Sequence, residues 1–483
     1  MEKQCVRLGY APTKRDGFDH PEYRMYRDQT LARIKALGGA SVEIVELLGI
    51  NENETLEYAS DVEKTVRLFE DARIDGVFFP HCNFGMEAVV AKIAAKLKVP
   101  VLLWGPRDHR PESGVGRTRD TQCGLFATGK ALRRMNVPFT YLPNCTLEDP
   151  AFDAGFLSFV AVCNVVKDFR HTRILQIGVR PEPFWTVICN EGELLERFGI
   201  QILPLTLTDL TMYVEKLKQN GSAAVDAAFE DFKARLNCAC ATDEQMMNMA
   251  RLRVAIKELC GQYECNAVAI HCWAALHKAV GAATCTINGI LTEEGIPVVC
   301  ETDIHGAISS VILQAAARHT KTTFFADLTI RHPDNENAEM LWHCGNFPPS
   351  LAKDPKKRNL TMICQQLGPI PTQSNWEIVG GDITVCRFDG DHGQYQLFIG
   401  EGKGVEGPET TGTYCWFEVD NWPKWEKHLV EGPYIHHVSG VHLKVAHVLA
   451  ESCKYLGVKV DAVSPNEETL EQRWLNGSST EGV

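Results

Sequence analysis

The sequence lacks the features that would place it on nucleic acid or in a lipid bilayer. No Lys/Arg cluster runs along a helix face, and 49 Lys and Arg against 62 Asp and Glu give a formal net charge of −13. That is the wrong sign for holding a polyanion. No stretch approaches the roughly 18 apolar residues needed to span a membrane. The opening Met1-Glu2-Lys3-Gln4-Cys5 carries no signal-peptide apolar region, so a cytoplasmic location is expected. No G-x-G-x-x-G follows the first strand of either α/β region and no P-loop is present, which argues against a nucleotide-dependent oxidoreductase. Internal repeats and low-complexity tracts are absent. Paired C-x-x-C spacing is missing too. Most of the 18 cysteines, Cys163, Cys189, Cys272, Cys300 and Cys386 among them, sit in apolar runs and read as reduced packing thiols.

What is there is an ordinary globular composition, 45% hydrophobic and 23% charged, on 483 residues. That length is too great for one core and predicts several domains. Ile74–Pro80 reads as a buried strand, His81–Gly85 as a turn, Met86–Leu97 as a helix and Pro100–Trp104 as the next strand, together one βαβ unit. A second α/β block starts near Arg173. Its predicted strands are Ile174–Val179, Ile200–Leu205, Asn266–His271, Pro297–Cys300 and Thr322–Ala326, and its helices Phe184–Phe198, Gln245–Cys260 and Ala307–Ala317. From about residue 350 prolines break the chain. Alternating runs then follow at Trp376–Phe388, Tyr395–Ile399 and Thr413–Val419, a last helix at Leu443–Leu456 and a frayed tail at Asn476–Val483. The expected architecture is two Rossmann-like parallel-sheet α/β domains, 1–170 and 171–350, followed by a mainly antiparallel β domain, 351–483.

In open parallel sheets ligands bind beyond the carboxyl ends of the strands, so polar residues that terminate buried strands are the candidates. Two are acids: Glu301 follows Pro297–Cys300 and Asp327 follows Thr322–Ala326. If their strands are successive, both carboxylates stand on the same edge of one sheet. A carboxylate there is costly unless neutralised, and a divalent cation such as Mn²⁺ or Mg²⁺ suits oxygen ligands. The structural alternative is that the two acids cap helices or pair with arginines. Further ligands would be sought among His305, His332, His343, His436, His437 and His442. Adjacent histidines point in different directions, so at most one of His436 and His437 serves from a given side.

These residues also carry a family resemblance. Asp75–Asp108, Arg117–Phe126, Gly295–Gly306 (GIPVVCETDIHG), Phe325–His332 and the His-His-Val-Ser-Gly-Val-His run from His436 to His442 resemble segments of the L-fucose and L-arabinose isomerase superfamily. The resemblance implies a metal-dependent aldose–ketose isomerase, with Glu301 and Asp327 as metal ligands and acid/base groups and His437 as a further ligand. Arabinose-type enzymes use one more histidine, which makes His343 a candidate ligand; fucose-type enzymes do not. Mn²⁺ is the implied cofactor, with Co²⁺ or Mg²⁺ as alternatives. The implied partner is a small sugar, with no nucleic acid and no membrane, and the implied assembly is a homotrimer or homohexamer. Arg15 matches a substrate-contacting arginine. Asn83 and Trp104, at strand ends of the first domain, are expected to reach a neighbouring subunit's site. His436 and Trp416, with Trp422 and Trp425, are candidate sugar contacts or core. An anionic substrate, a sulfo- or phospho-hexose met by Lys14, Arg15, Arg107, Arg117 and Arg119, is the first alternative. An inactive sugar-binding protein on the same fold is the second.

Overall fold

The computed structural model describes residues 5–18, 22–110, 117–363 and 371–476, in two compact units. The expected tail at 477–483 lies outside the described residues. The first unit holds 1–167, 447–457 and 468–483; the second holds 168–446 and 458–467.

The first unit is a doubly wound sheet of five parallel strands. Its order is Val42–Glu46, Val6–Tyr10, Gly76–Pro80, Val101–Trp104, Thr140–Tyr141. Such a sheet is covered on both faces, which is why its strands read as continuous apolar runs rather than alternating ones. Val77, Phe79, Val101 and Leu103 bury one face, while Leu8, Phe78, Leu102 and Trp104 bury the other. Helix Pro150–Arg170 is long and apolar enough to cross a bilayer, contrary to the sequence expectation, but two-thirds of its most apolar window is buried. Phe152, Phe156, Phe159 and Val160 tie it to the sheet core. The helix Ala446–Leu456 also belongs here. Its Tyr455 hydroxyl lies 2.8 Å from Thr140 Oγ1, and it donates to the Val101 carbonyl at 3.1 Å.

One close approach in this unit permits no side chain. On helix Thr121–Arg134, a Cβ at Gly124 would lie 1.8 Å from the Phe84 carbonyl oxygen. Backbone cannot give way as a side chain does, so Gly124→Ala is expected to cost about 3 kcal/mol, readable as a lower midpoint in urea. A change under about 0.5 kcal/mol would mean the helix slides freely over that turn.

Among the described residues, the second unit contains two sheets. A parallel sheet has the order Gln201–Leu205, Arg173–Ile177, Ala267–Ile270, Val298–Val299. A mixed, mainly antiparallel sheet of nine strands follows in the sequence. Six of its strands close on themselves, in the order Thr413–Glu418, Ala338–His343, Thr323–Arg331, His437–Val441, Gly381–Asp391, Gln394–Val405. The ring is completed where Lys403, Gly404 and Val405 pair with Glu418, Phe417 and Trp416. The fold class therefore matches the expectation. One detail does not: Glu301 and Asp327 do not share a sheet edge. Glu301 follows the last strand of the parallel sheet, whereas Asp327 lies inside Thr323–Arg331, a strand of the closed ring.

Candidate active site

Glu301 owes its position to backbone strain. The strand Val298–Val299 ends, and Glu301 and Thr302 then adopt left-handed conformations, with φ of +54° and +58°. For a β-branched threonine this is unusual, and each such residue costs on the order of 1–3 kcal/mol. The turn is held by Thr302 N–H to the Ile270 carbonyl (3.2 Å) and by Asp303 N–H to the Cys300 carbonyl (3.1 Å). Asp303, not Glu301, caps the following helix Ile304–Ala316, accepting from Gly306 N–H at 2.9 Å.

Asp327 and His437 are set by strand register. They are cross-strand partners where Thr323–Arg331 pairs with His437–Val441, and His343 ends the strand on the other side, Ala338–His343. His437 Nε2 lies 3.5 Å from Asp327 Oδ1 and 3.9 Å from Glu301 Oε2. His343 Nε2 lies 4.0 Å and 3.9 Å from the same two oxygens. Glu301 Oε2, Asp327 Oδ1 and His343 Nε2 are buried without any hydrogen-bond partner. Buried polar atoms are normally satisfied, so three orphans around one point mark a cradle for something positive or polar.

The two histidines present different faces. The Nδ1 of His437 sits 2.8 Å from Asp303 Oδ2, and only an N–H can bond a carboxylate there, so in the neutral ring it is the Nε2 lone pair that turns to Glu301 and Asp327. His343 Nδ1 instead accepts the Cys344 backbone N–H at 2.9 Å, which leaves a proton on its neutral Nε2. Neutral His437 thus offers a lone pair and His343 a donor.

Behind His437 runs a fully buried charge network. Arg387 bonds Asp303 through both terminal nitrogens, one at 3.1 Å, and reaches Asp389 Oδ2 through Nε at 2.8 Å. Asp389 Oδ1 meets His305 Nδ1 at 2.8 Å. Burial works against the Asp303 charge, but Arg387 and His437 outweigh it and hold its carboxyl well below the usual range. Burial, opposed by His437, pushes Glu301 up, and burial raises Asp327 to about 7. Burial disfavours the His437 cation, yet the bond to Asp303 and the charge of Asp327 leave its pKa raised. Burial drives His343 down to about 3.

The structure thus brings together Glu301, Asp327, His343 and His437, with exposed His436 beside them, its ring centroid 4.4 Å from that of His437. It does not bring Trp416 there. That indole is buried, donates to the Pro408 carbonyl at 3.0 Å and packs with Met340 and Tyr414. Trp422 and Trp425 are core residues as well. Arg15, Asn83 and Trp104 belong to the first unit. Arg15 lies over the Phe84 ring and pairs with Glu87; its backbone N–H donates to Asn83 Oδ1 at 2.9 Å. Asn83 is fully buried and bonds the Arg15 and Phe18 carbonyls, so it shapes the Arg15 loop. Trp104 has no exposed surface and packs on Phe152. Lys14 pairs with Glu57 and Asp16, and Arg119 faces Asp108 and Glu22; Arg117 pairs with Asp120. Sequence reasoning missed Asp303, Arg387 and Asp389. The GIPVVCETDIHG run carried the only signal for Asp303, an acid opening a helix.

Comparison with known sequences puts the chain among sugar isomerases of the fucose isomerase kind. The chain belongs to the L-fucose/L-arabinose isomerase superfamily: residues 9–170 match the fucose/sulfoquinovose isomerase N-terminal domain and residues 341–464 the L-fucose isomerase C-terminal domain. The sulfoquinovose isomerases of Priestia aryabhattai and Priestia megaterium are each 27% identical over 400 residues, 82% of this chain and 85% of theirs. That of Alkalicoccus urumqiensis is 24% identical over 340 residues, 69% of this chain and 73% of its own. A solved periplasmic solute-binding protein of Actinobacillus succinogenes 130z with bound D-allose aligns at 12% identity over 65% of this chain and 92% of its own. Its TM-score of 0.16 is too low to carry an argument.

Proposed function

We propose that this chain interconverts an aldose and a ketose that carry an anionic group, with a Mn²⁺-class cation held by Glu301, Asp327 and His437. The observation behind the reading is the convergence of two carboxylate oxygens and two imidazole nitrogens, three of the four atoms orphaned and buried. The donor set fits: two hard oxygens and an imidazole that Asp303 holds by Nδ1, so that loss of the Nε2 proton frees a lone pair toward the cation. Held there, a divalent cation would supply Lewis-acid polarisation of the sugar carbonyl. His343 is read as a hydrogen-bond donor to the substrate rather than as a ligand, because its Nε2 carries a proton.

The chain's own residues move the proton. One carboxylate, Glu301 or Asp327, removes the C2 proton as the C1–C2 double bond forms and O1 gains a proton, giving a cis-enediol. Return of a proton to C1, with loss of the O2 proton, gives the ketose. Positioned acid–base groups of this sort contribute roughly 10²–10⁴-fold. The anionic substrate class is favoured because the relatives spanning most of this chain are named sulfoquinovose isomerases. A homotrimeric or homohexameric assembly belongs to the same reading and rests on the family resemblance.

The test is to strip the protein with a chelator, restore Mn²⁺, and assay sulfoquinovose, phosphohexoses, L-fucose and both arabinoses for ketose. Metal-dependent turnover is expected on the sulfo-sugar and at least tenfold less on the neutral sugars. Turnover that survives full chelation sinks the cation assignment; a neutral sugar as best substrate sinks the anionic one. Tight binding of a sugar without any ketose would favour the inactive binding protein.

A further inference from the structure

Glu301 has sulfur on its other side. Cys272 Sγ lies 3.3 Å from Glu301 Oε1, and one donor atom each from Cys272, Cys300 and Glu301 all lie within 4.8 Å of one another. The three come from the carboxyl ends of adjacent strands, Ala267–Ile270 and Val298–Val299, and the left-handed turn holds Glu301 against the thiols. All three residues are buried. Two side-chain amides serve the same sulfur: Asn288 Nδ2 and Asn346 Nδ2 each donate to Cys300 Sγ at 3.4 Å. The oxygens of both amides, like Glu301 Oε2, are buried without a partner.

We propose that Cys272, Cys300 and Glu301 form a site for a thiophilic divalent cation, Zn²⁺ or Cd²⁺, separate from the oxygen–nitrogen cluster and sharing only Glu301 with it. The spacing suits such an ion, since two sulfurs each about 2.3 Å from a tetrahedral centre stand about 3.8 Å apart. The chemistry selects it, because thiolates prefer soft and borderline cations while oxygen ligands suit Mn²⁺ and Mg²⁺. Both thiol protons are released to solvent as the cation binds, and the amide N–H groups of Asn288 and Asn346 face the thiolate charge on Cys300. Glu301 cannot serve both neighbours fully, so occupation of the sulfur side withdraws it from the other cluster. A thiophilic cation is thereby an inhibitor of whatever the Glu301–Asp327–His437 cluster does.

The experiment uses Co²⁺ alone on the full-length, reduced, chelator-stripped protein without oxygen, so it does not depend on the isomerase reading. A near-ultraviolet sulfur-to-cobalt charge-transfer band is expected. Stoichiometric Zn²⁺ should bleach it, and a hundredfold excess of Mn²⁺ should not. In Cys272→Ser and in Cys300→Ser the band should fall by about half, and in Asp327→Asn it should persist. The proposal is overturned if saturating Co²⁺ gives no such band, if the band survives in the double serine variant, or if Asp327→Asn abolishes it. Should the serine variants fail to fold, the wild-type spectrum and Asp327→Asn still decide.

Discussion

Asp327→Asn is expected to lower kcat by at least about 10³-fold while leaving the protein folded. The substitution keeps the shape of the side chain and removes the oxygen charge that faces His437 Nε2 at 3.5 Å. Loss of a group that moves a proton costs roughly 10²–10⁴ alone, and this group is also assigned to hold the cation, so the upper part of that range applies. Stability should move the other way. Burial raises the Asp327 pKa to about 7 in the metal-free protein, against about 4 in an unfolded chain. A folded-state pKa raised in this way contributes stability that is complete below about pH 4 and is lost as the pH rises through about 7. The asparagine variant has no such loss, so its unfolding midpoint without metal should exceed the wild type's at pH 8 and not at pH 4. Unfolding scans at the two pH values, beside kcat on the best substrate, check both halves. A variant that retains a tenth of wild-type kcat would remove Asp327 from the chemistry.

Arg387→Met carries the largest expected effect on stability, a loss of about 3–5 kcal/mol. The guanidinium has no exposed surface and joins Asp303 to Asp389, so its removal leaves two buried carboxylates with only the imidazoles of His437 and His305 beside them. Methionine fills much of the volume, which separates lost charge from lost packing. Arg387→Lys should recover only part, because a point charge cannot form the fork that Arg387 makes with Asp303 while also reaching Asp389. Urea midpoints of the three proteins measure this, and a Met variant within 1 kcal/mol of wild type would show that the network is stabilised by something else.

The sequence exposed the proposed reacting groups better than their frame. Glu301 and Asp327 were legible because an acid directly after four or five apolar residues is expensive unless something compensates it. Their geometry was not. Asp327 looked like a strand terminus, yet the strand runs on to Arg331, and the residue is placed by its pairing with His437, 110 positions later. Pairing between distant strands leaves no local trace, and neither does the left-handed turn at Glu301 and Thr302, which no glycine announces. The strand and helix order of both α/β regions was legible from apolar runs, with errors at the ends. Helix Phe184–Phe198, for example, begins only at Glu191, where Asn190 caps it. Trp104 was misleading because a strand-end aromatic looks the same in sequence whether it faces a ligand or the core.

The closed ring of six strands limits how this protein can change. In an open sheet an inserted residue can be absorbed by sliding an edge strand, but here every strand of the ring has neighbours on both sides. One added residue in Thr323–Arg331 or His437–Val441 would turn Asp327 or His437 to the opposite face, because side chains alternate along a strand. The ring therefore acts as a reading frame for the proposed reacting groups, and insertions are expected to be tolerated in the connecting segments at its rim rather than in the strands themselves.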